Sequence, residues 1–191
     1  MARKGAKRAA TTGALELEVV LEETQPRIWR TLVVSPKATL GDLHEILQVA
    51  MGWEGGHVHR FVQGDEAWTD PSHEIEDTSP ETKVTLGELL RRKGDSLGYE
   101  YDLGDSWVHT VRVLEVLALA DAGTLPRCVA GARACPPEDC GGPVGYEDLL
   151  AILADPKHEE HEDRKEWLGR RFDADAFDAG AITRELRRLD V

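Results

Sequence analysis

A hairpin pattern in the middle of the chain constrains the fold more than any other feature of the sequence. Large apolar and aromatic residues occupy every second position of one run: Leu97, Tyr99, Tyr101 and Leu103. A Gly104-Asp105 turn follows, and a long β-type segment continues from Ser106 to Leu117. A period of two is typical of a strand with one buried face, and a tight turn between two such runs is typical of a hairpin. The sequence therefore predicts an antiparallel hairpin over residues 97–117.

A second hairpin is predicted near the N-terminus. Its first run carries apolar residues at every second position, mostly between glutamates: Leu15, Leu17, Val19 and Leu21. A short turn at residues 24–26 leads to a second alternating run from Arg27 to Val34. Two shorter runs, His57 to Gln63 and Glu66 to Asp70, are also typical of strands. These runs predict a mixed or antiparallel sheet.

Two capping boxes place helices among these strands. Thr39 is followed three residues later by Asp42, and Thr85 is followed in the same way by Glu88. In a capping box the two side chains satisfy free backbone amides at the start of a helix. Apolar residues follow Thr39 at helical spacing until Gly52. We predict one helix that ends at Gly52 and a shorter helix that starts at Thr85.

The C-terminal part of the chain is predicted to be helical after an irregular segment. Residues from Gly123 to Gly145 are rich in proline, glycine and cysteine, which disfavours regular structure. Helical patterns follow at Tyr146–Ala154, in the charged segment His158–Leu168 and after Asp178. The sequence therefore predicts an α+β fold with early helices and a helical C-terminal third, in one domain over residues 14–191. Residues 1–13 are basic and aperiodic, so we expect a disordered tail.

The charge balance and composition exclude several classes of protein. The chain has 23 Lys and Arg residues against 36 Asp and Glu residues, a net charge of −13, which opposes non-specific binding to nucleic acid. It has no run of roughly 20 apolar residues that would span a membrane, and no apolar segment follows the basic N-terminus as in a secretory signal. Three cysteines, an odd number, fit a reducing compartment better than a disulfide framework. We therefore expect a cytoplasmic protein without a membrane partner.

Three clustered cysteines are the first candidates for metal ligands. Cys128, Cys135 and Cys140 lie in the glycine- and proline-rich segment, and His109 is a candidate fourth ligand. Zinc favours four tetrahedral sulfur or nitrogen ligands. The cysteine spacings are not those of a standard zinc finger, however, and buried free thiols that pack as small apolar groups remain the alternative. Zinc is the only cofactor that the sequence suggests.

Histidines and carboxylates provide a second group of candidates. His57 and His59 stand one residue apart on a predicted strand, so both face the same side, as metal ligands or as a polar face. Asp102 and Asp105 flank the predicted hairpin turn, and Glu138 and Asp139 lie in the cysteine-rich segment. Carboxylates of this kind serve as cation ligands or in general acid–base catalysis. Asp105 also has the side chain that a tight turn favours.

Three familiar catalytic or nucleotide-binding motifs are incomplete in this chain. The glycine-rich segment at residues 141–145 lacks the Lys-Ser or Lys-Thr pair of a P-loop and leads into acidic residues. The run that starts at His158 has a glutamate, Glu162, where a zinc protease needs its second histidine. The segment from Gly104 to Val108 lacks the closing glycine of a nucleophile elbow.

Four short motifs occur in a specific order along the chain. They are Pro26-Arg27-Ile28-Trp29-Arg30, His57-Val58-His59-Arg60-Phe61, the segment from Tyr101 to His109, and the segment from Cys135 to Gly142 with Gly145-Tyr146. Together, over about residues 14–180, they resemble the plasmid pRiA4b ORF-3-like family. Leu103 departs from the expected pattern, because we expect an aromatic residue there.

The resemblance implies a compact α+β fold akin to a β-grasp arrangement, without an established activity. Some members of the family are carried on insertion elements and bear a resolvase label. The chain lacks the arginine-rich serine site and the basic DNA-binding module of a serine resolvase. A tyrosine recombinase needs its arginine and histidine triad upstream of a C-terminal tyrosine, whereas the last tyrosine of this chain is Tyr146. The family motifs also bring the candidate histidines, aspartates and cysteines together, which predicts one polar cleft.

The function that we expect is that of a cytosolic binding or accessory protein, of plasmid or transposon origin, with a polar cleft. The cleft would be built by the Tyr101–His109 hairpin and the Cys128–Cys140 segment, with His109 close to the cysteines. A metal-dependent hydrolase acting on nucleic acid, with the histidines and cysteines as metal ligands and Glu138 or Asp105 as base, is one alternative. An acidic protein–protein adaptor is another. The sequence leaves open whether the chain is an enzyme.

Overall fold

The computed structural model describes residues 13–169 and 172–191, which contain eight strands and six α-helices. The strands are β1 (Ala14–Leu21), β2 (Ile28–Val34), β3 (His59–Gln63), β4 (Glu66–Thr69), β5 (Ser79–Pro80), β6 (Ser96–Tyr101), β7 (Trp107–Leu117) and β8 (Arg127–Ala132). The helices are α1 (Leu40–Met51), α2 (Leu86–Leu89), α3 (Leu119–Ala122), α4 (Gly142–Ala154), α5 (His161–Leu168) and α6 (Ala179–Leu186). The predicted N-terminal tail lies outside these residues, except for Gly13.

The described strands form a single sheet in the order β5-β4-β3-β6-β7-β1-β2-β8. Every neighbouring pair is antiparallel except β4 with β5. Both predicted hairpins are present, β1 with β2 and β6 with β7. The predicted α+β fold with a mostly antiparallel sheet is therefore confirmed.

The core lies between the sheet and helix α1. The largest fully buried side chains include aromatic residues of β3, β6 and β7: Trp107, Tyr99, Tyr101 and Phe61. The same cluster includes the apolar face of α1, such as Leu43 and Leu47. The predicted alternation places Leu97, Tyr99 and Tyr101 inside, but β6 ends at Tyr101, and Leu103 is exposed in the turn.

Both predicted capping boxes are formed. The Thr39 side chain accepts the Asp42 amide, and the Asp42 side chain accepts the Thr39 amide at 2.6 Å. The Thr85 and Glu88 pair caps the short helix α2 in the same way. Helix α1 ends where predicted, since Gly52 adopts the left-handed conformation (φ 93°) that favours glycine. These local signals therefore place the two early helices correctly.

The segment that was predicted to be irregular contains a strand. β8 pairs with β2, from Arg127 opposite Val33 to Ala132 opposite Trp29. Its alanine and glycine residues give no alternating pattern, so the strand depends on pairing with a segment about 100 residues away. Gly131 is required there, because a β-carbon at this position would lie 2.5 Å from the Phe177 ring. The C-terminal third thus begins with a strand before its helices.

Helix α4 begins earlier than the sequence predicted. It starts at Gly142 rather than Tyr146, with a proline in its first turn, a position where the missing amide hydrogen has no helical partner. Within the described ranges, no helix combines the length and apolar character that crossing a bilayer would require.

Candidate functional site

Three separate chain segments converge around the imidazole of His57. His57 lies in the loop before β3, and its Nδ1 is 3.5 Å from an oxygen of Asp102, which directly follows β6. Its Nε2 lies 3.4 Å from Glu138 and 3.4 Å from Asp139, both in the loop between β8 and α4. We call these four residues the His57 cluster. The fold therefore brings together one imidazole and three carboxylates at the end of the central hairpin.

The backbone orients Asp102 within this cluster. Asp102 adopts a positive φ of 55°, which an aspartate tolerates better than most residues. Its Oδ1 accepts hydrogen bonds from the Gly104 amide at 2.9 Å and the Asp105 amide at 3.3 Å. Oδ2 is left to face His57. The turn therefore holds one oxygen of Asp102 and presents the other to the cluster.

Glu138 is held in a comparable way by the Tyr101 hydroxyl and a backbone amide. Its Oε1 accepts the Tyr101 hydroxyl at 3.0 Å and the Glu54 amide at 2.9 Å. Burial, and then the neighbouring Glu138 carboxylate, raise the pKa of Tyr101, so the phenol keeps its proton and can donate. The indole of Trp53 donates to the Pro136 carbonyl at 3.0 Å, which fixes the same loop. Glu138 thus presents Oε2 to His57 from a fixed position.

Asp105 has a structural role beside the cluster. It lies in the turn between β6 and β7, and its carboxylate accepts the Gly141 amide at 3.1 Å. This bond ties the hairpin turn to the start of α4. The geometry agrees with the interpretation of Asp105 as a turn residue, and Asp105 is outside the group of ligand atoms around His57.

The His57 cluster has the spacing of a cation site. Ligand atoms of His57, Asp102 and Asp139 all lie within 4.8 Å of one another, and no other group of three His, Cys, Asp or Glu residues meets this spacing in residues 13–169 and 172–191. Asp139 has a side chain that is 74% exposed, so the site opens to solvent. One imidazole with carboxylates suits divalent ions such as Mn²⁺, Fe²⁺, Co²⁺ or Zn²⁺.

The cysteines and His109 occupy a different environment. Cys128 and Cys135 are buried and Cys140 is half-buried, and burial raises the pKa of all three thiols, to about 12 for Cys140. Such thiols are protonated at neutral pH and are poor ligands until they ionise. Within the described chain, these sulfurs and the His109 nitrogens do not supply three ligand atoms within 4.8 Å of one another. The predicted cysteine site therefore stays a prediction.

Trp53 connects His109 with the β8–α4 loop. The Trp53 and His109 rings meet edge to face with centroids 5.3 Å apart. Trp53 also donates to the carbonyl of Pro136, the residue after Cys135. His109 is fully buried on β7. That His109 lies close to the three cysteine sulfurs remains a prediction.

His57 and His59 have different positions and different partners in the structure. His57 precedes β3, whereas His59 is the first residue of the strand and is 2% exposed. The Nε2 of His59 lies 2.8 Å from Glu81, a partner that the His57 cluster does not share. Both histidines line one cavity of about 320 Å³, together with His44 and His73. We call this cavity the histidine cleft.

Sequence reasoning missed three residues of the histidine cleft. His44 stacks on His59 with ring centroids 3.6 Å apart, and His73 meets His59 edge to face at 4.9 Å. Burial lowers the pKa of His44 to about 3, with the neighbouring histidines as the next cause. Glu81 is 3% exposed. These residues come from α1, from a 3₁₀ turn after β4 and from a second 3₁₀ turn, so no local spacing indicates that they meet.

Comparisons with known proteins identify relatives of this chain. The uncharacterized protein y4hQ of Sinorhizobium fredii is 36% identical over 158 residues, which are 81% of this chain and 80% of the relative. A crystal structure of the protein of unknown function MM3350 from Methanosarcina mazei Go1 is similar, with a TM-score of 0.79 and 34% identity. That similarity covers 87% of this chain and 95% of MM3350. Residues 13–181 match the description "Plasmid pRiA4b ORF-3-like protein", and the chain therefore belongs to that family.

Proposed function

We propose that this chain is a cytosolic binding or accessory protein that binds a divalent cation at the His57 cluster. One observation carries the proposal: His57, Asp102 and Asp139 present ligand atoms within 4.8 Å of one another from three different chain segments. A cation at that point would neutralise part of the negative charge that the fold concentrates there.

The fixed orientation of the carboxylates distinguishes the cluster from exposed acidic groups that lie together by chance. Asp102 and Glu138 each have one oxygen held by backbone amides, and Glu138 is also held by Tyr101. Hydrogen bonds of this kind orient ligands in metal sites and limit their motion. The competing interpretation is that His57 joins the three segments through its direct contacts with the carboxylates, without an ion. Both interpretations make the cluster a link between the hairpin and the β8–α4 loop, and they differ in whether an ion binds.

A metal-dependent hydrolase is the second candidate, and Glu138 is the observation that favours it. Glu138 lies 3.4 Å from His57 but is not needed to complete the group of three ligand atoms. A carboxylate beside a bound cation has the position of a general base that would activate a metal-bound water. Asp105 is less suited to this role, because His57 contacts Glu138 but does not contact Asp105 in the described residues.

Several sequence-based expectations belong with this proposal. The family resemblance supports an origin on mobile elements and a β-grasp-like arrangement. The odd number of cysteines supports a location in the reducing cytosol. The net charge of −13 disfavours nucleic acid as a partner. A single domain over residues 14–191, a predominantly helical C-terminal third, a protein partner for the acidic helices and a zinc site of Cys128, Cys135, Cys140 and His109 remain predictions.

The test is calorimetric titration of the chelator-treated protein with Mn²⁺, Zn²⁺ and Mg²⁺. We expect wild-type protein to bind at least one ion at the His57 cluster. In the double variant Asp102→Asn, Asp139→Asn this binding event should be lost or at least about tenfold weaker, because both charged ligands are lost. The matched control is Asp163→Asn, Asp148→Asn, which removes two exposed carboxylates from helices. Absence of binding in wild type, or equal affinity in the double variant, would contradict the proposal.

Co²⁺ distinguishes this site from the cysteine site. Thiolate ligands give bound Co²⁺ an intense near-ultraviolet charge-transfer band, whereas nitrogen and oxygen ligands give only weak visible bands. We expect weak bands that lose intensity in the Asp102→Asn, Asp139→Asn variant and are retained in Cys135→Ser. A thiolate band that Cys135→Ser removes would instead establish the cysteine site.

A further inference from the structure

The histidine cleft contains two imidazoles whose hydrogen bonds resemble those of metal ligands. A ligating histidine binds the ion through one ring nitrogen and donates the hydrogen of the other nitrogen to a carboxylate, a carbonyl or another fixed acceptor. His59 and His73 each have one ring nitrogen engaged in this way. His57 also lines this cleft, but its group of ligand atoms with Asp102 and Asp139 includes neither His59 nor His73.

Glu81 orients the ring of His59. The Nε2 of His59 lies 2.8 Å from the Glu81 carboxylate, and a carboxylate accepts but does not donate, so Nε2 carries the hydrogen. In the neutral ring the lone pair is therefore on Nδ1. This Nδ1 is buried and has no hydrogen-bond partner within the described structure. Buried polar atoms are normally satisfied, so an unpartnered nitrogen that belongs to a cavity-lining residue points to a missing ligand.

The position of Glu81 is itself built into the fold. Glu81 is almost completely buried beside the first turn of α1, where the helix dipole favours a negative charge. A β-carbon at Gly41 would lie 3.3 Å from Glu81 Oε1, so glycine gives the carboxylate room. The acceptor for His59 is therefore held by the packing of α1.

Thr69 fixes the tautomer of His73. The Thr69 hydroxyl donates its only hydrogen to the His59 carbonyl at 2.5 Å. It therefore accepts from the Nδ1 of His73, which lies 3.0 Å away. In the neutral ring of His73 the lone pair is then on Nε2, and no hydrogen bond engages that atom in the described residues. These hydrogen bonds leave one ring nitrogen with a free lone pair on each of the two histidines, Nδ1 of His59 and Nε2 of His73.

The two rings have a separation that one ion can bridge. Two imidazoles that bind one tetrahedral ion at 2.0–2.1 Å have ring centroids about 5 Å apart. The His59 and His73 centroids are 4.9 Å apart. Asp70 supplies a carboxylate beside them, and its charge is secured because hydrogen bonds from Ser72 lower its pKa, with smaller effects from His73 and His59. The Ser72 amide donates to Oδ1 of Asp70 at 2.7 Å.

His44 is excluded as a ligand although it is the nearest ring. The Tyr99 hydroxyl accepts from Gln48 at 2.9 Å and lies 2.9 Å from the Nδ1 of His44. Because burial keeps Tyr99 protonated, its hydrogen goes to His44, and the hydrogen of His44 is on Nε2. His44 also stacks parallel to His59, so the in-plane lone pairs of the two rings cannot converge on one ion.

We propose that His59 and His73, with Asp70 as the carboxylate ligand, form a second cation site that is selective for transition metals over Mg²⁺ and Ca²⁺. Two imidazoles and one carboxylate suit Zn²⁺, Co²⁺, Ni²⁺ and Fe²⁺, whereas the harder ions prefer oxygen ligands alone. Movement of the half-buried Asp70 side chain toward the two nitrogens completes the set. This proposal does not require an ion at the His57 cluster.

The experiment is titration with Ni²⁺ of the chelator-treated Asp102→Asn, Asp139→Asn variant, in which the first cluster is disabled. We expect one Ni²⁺ to bind, and the further change His73→Ala to weaken it at least about tenfold through loss of a ligand. His44→Phe is the matched control, because it keeps a stacked ring without a ring nitrogen, and we expect its affinity to stay within about twofold of the parent. Mg²⁺ should not compete.

The second variant is Glu81→Gln, which tests the orienting role of Glu81. Loss of such a carboxylate weakens metal affinity about 10–100-fold in known sites. The long-range ¹H–¹⁵N spectrum of the histidine side chains then provides a readout that does not depend on affinity. We expect the metal-free spectrum to show His73 as the Nδ1–H tautomer, and Zn²⁺ to shift its Nε2 resonance. Equal Ni²⁺ affinity with and without His73→Ala, or greater loss in His44→Phe than in His73→Ala, would overturn the proposal.

Discussion

His109 is a fully buried imidazole in the centre of the sheet. Its Nδ1 lies 3.3 Å from the Tyr99 carbonyl, whereas its Nε2 has no partner in the described chain. Burial lowers its pKa to about 4, against an ordinary value of 6.5, because the charged ring would lose its hydration. The folded protein therefore holds His109 neutral at pH values where the unfolded chain would protonate it.

This difference predicts an acid-sensitive stability. Between pH 6.5 and about 4 the unfolded state binds more protons than the folded state at this site, so the free energy of unfolding falls as the pH falls. The full effect of His109 corresponds to about 3 kcal/mol. We expect urea midpoints of the metal-free protein to decline over this range, and His109→Gln to flatten the decline. An equal pH slope in wild type and His109→Gln would contradict the assignment to His109.

Gly142 allows the β8–α4 loop to approach the hairpin turn. It has a φ of 70°, and a β-carbon there would lie 2.5 Å from the Asp105 carbonyl oxygen. Gly64 has a similar φ of 61°, but no heavy atom of the described chain lies within 4 Å of the β-carbon position. The two glycines therefore share the backbone strain that an alanine would suffer and differ in steric contact.

Gly142→Ala should be more destabilising than Gly64→Ala by about 1–3 kcal/mol, the usual effect of forcing an extra group into a packed region. Chemical denaturation of both variants measures the difference. Because the clash would displace Asp105 and the loop that carries Glu138, Gly142→Ala should also weaken cation binding at the His57 cluster, whereas Gly64→Ala should not. Equal stability of the two variants would show that the turn and the loop move apart freely.

Sequence reasoning identified the residues of the His57 cluster but not their arrangement. His57, Asp102 and Glu138 lie in the family motifs, so they could be named without a structure. Their convergence depends on the pairing of β3 with β6 and on the loop after β8, which no local pattern encodes. Glu81 and His73 were missed for the same reason, since each lies in a polar segment and becomes part of a site only through contact with β3.

At the scale of elements, Arg30 joins three parts of the fold. Its side chain lies on β2 and is 3% exposed. Its Nε donates to the Ala50 carbonyl of α1 at 2.8 Å, and its Nη1 donates to the Ala132 carbonyl of β8 at 3.0 Å. Its guanidinium also lies over the Phe177 ring at 5.1 Å. One planar group with several fixed donors therefore links a helix, two strands and the segment before α6.

We expect Arg30→Lys to lower the free energy of unfolding by about 2–4 kcal/mol, because a lysine ammonium cannot reproduce the fork of donors and leaves buried carbonyls unpaired. The matched control is Arg27→Lys, in which a half-exposed arginine pairs with Glu18 at 3.0 Å. That change should alter stability by no more than about 0.5 kcal/mol. Denaturation curves measure both effects. Equal tolerance of the two substitutions would mean that the Arg30 bonds add nothing to the fold.

The elements that could be predicted are those with a strong local signal. Both hairpins have alternating apolar residues, and α1 and α2 begin with capping boxes that are formed as expected. β8 could not be predicted, because its sequence of small residues is weakly β-forming and its pairing with β2 is non-local. The start of α4 was misplaced because consecutive glycines and a proline, which usually mark a loop, here form its first turn.

At the scale of the whole molecule, the two edges of the sheet are protected in different ways. β5 has only two residues, one of them a proline, and both features discourage pairing with another chain. β8 is longer, and α6 covers its open edge. The Thr183 hydroxyl accepts the Cys128 amide and donates to the Cys128 carbonyl, both at 3.0 Å. The Ala134 amide, beyond the strand, bonds the Ala174 carbonyl at 3.0 Å.

This cover predicts that the C-terminal segment keeps the folded chain from associating through β8. A chain that ends at Gly169 would lose the buried Leu186 and would expose the backbone groups of Cys128. Exposed edge strands pair readily with other chains. We therefore expect the truncated protein to retain the far-ultraviolet signal of the sheet but to form dimers or larger species, as measured by light scattering over a concentration series.

Thr183→Val tests the hydrogen bonds at the open edge of β8 without removing the apolar packing of α6. Valine keeps the volume but removes both hydrogen bonds to Cys128, which should lower stability by about 1–3 kcal/mol and increase exchange of the Cys128 amide. The variant should remain monomeric at low concentration and associate at a lower temperature than wild type on mild heating, because the edge of β8 opens before the sheet does.

For the truncation at Gly169, a folded protein that is monomeric at all concentrations would show that β8 does not need the cover of α6.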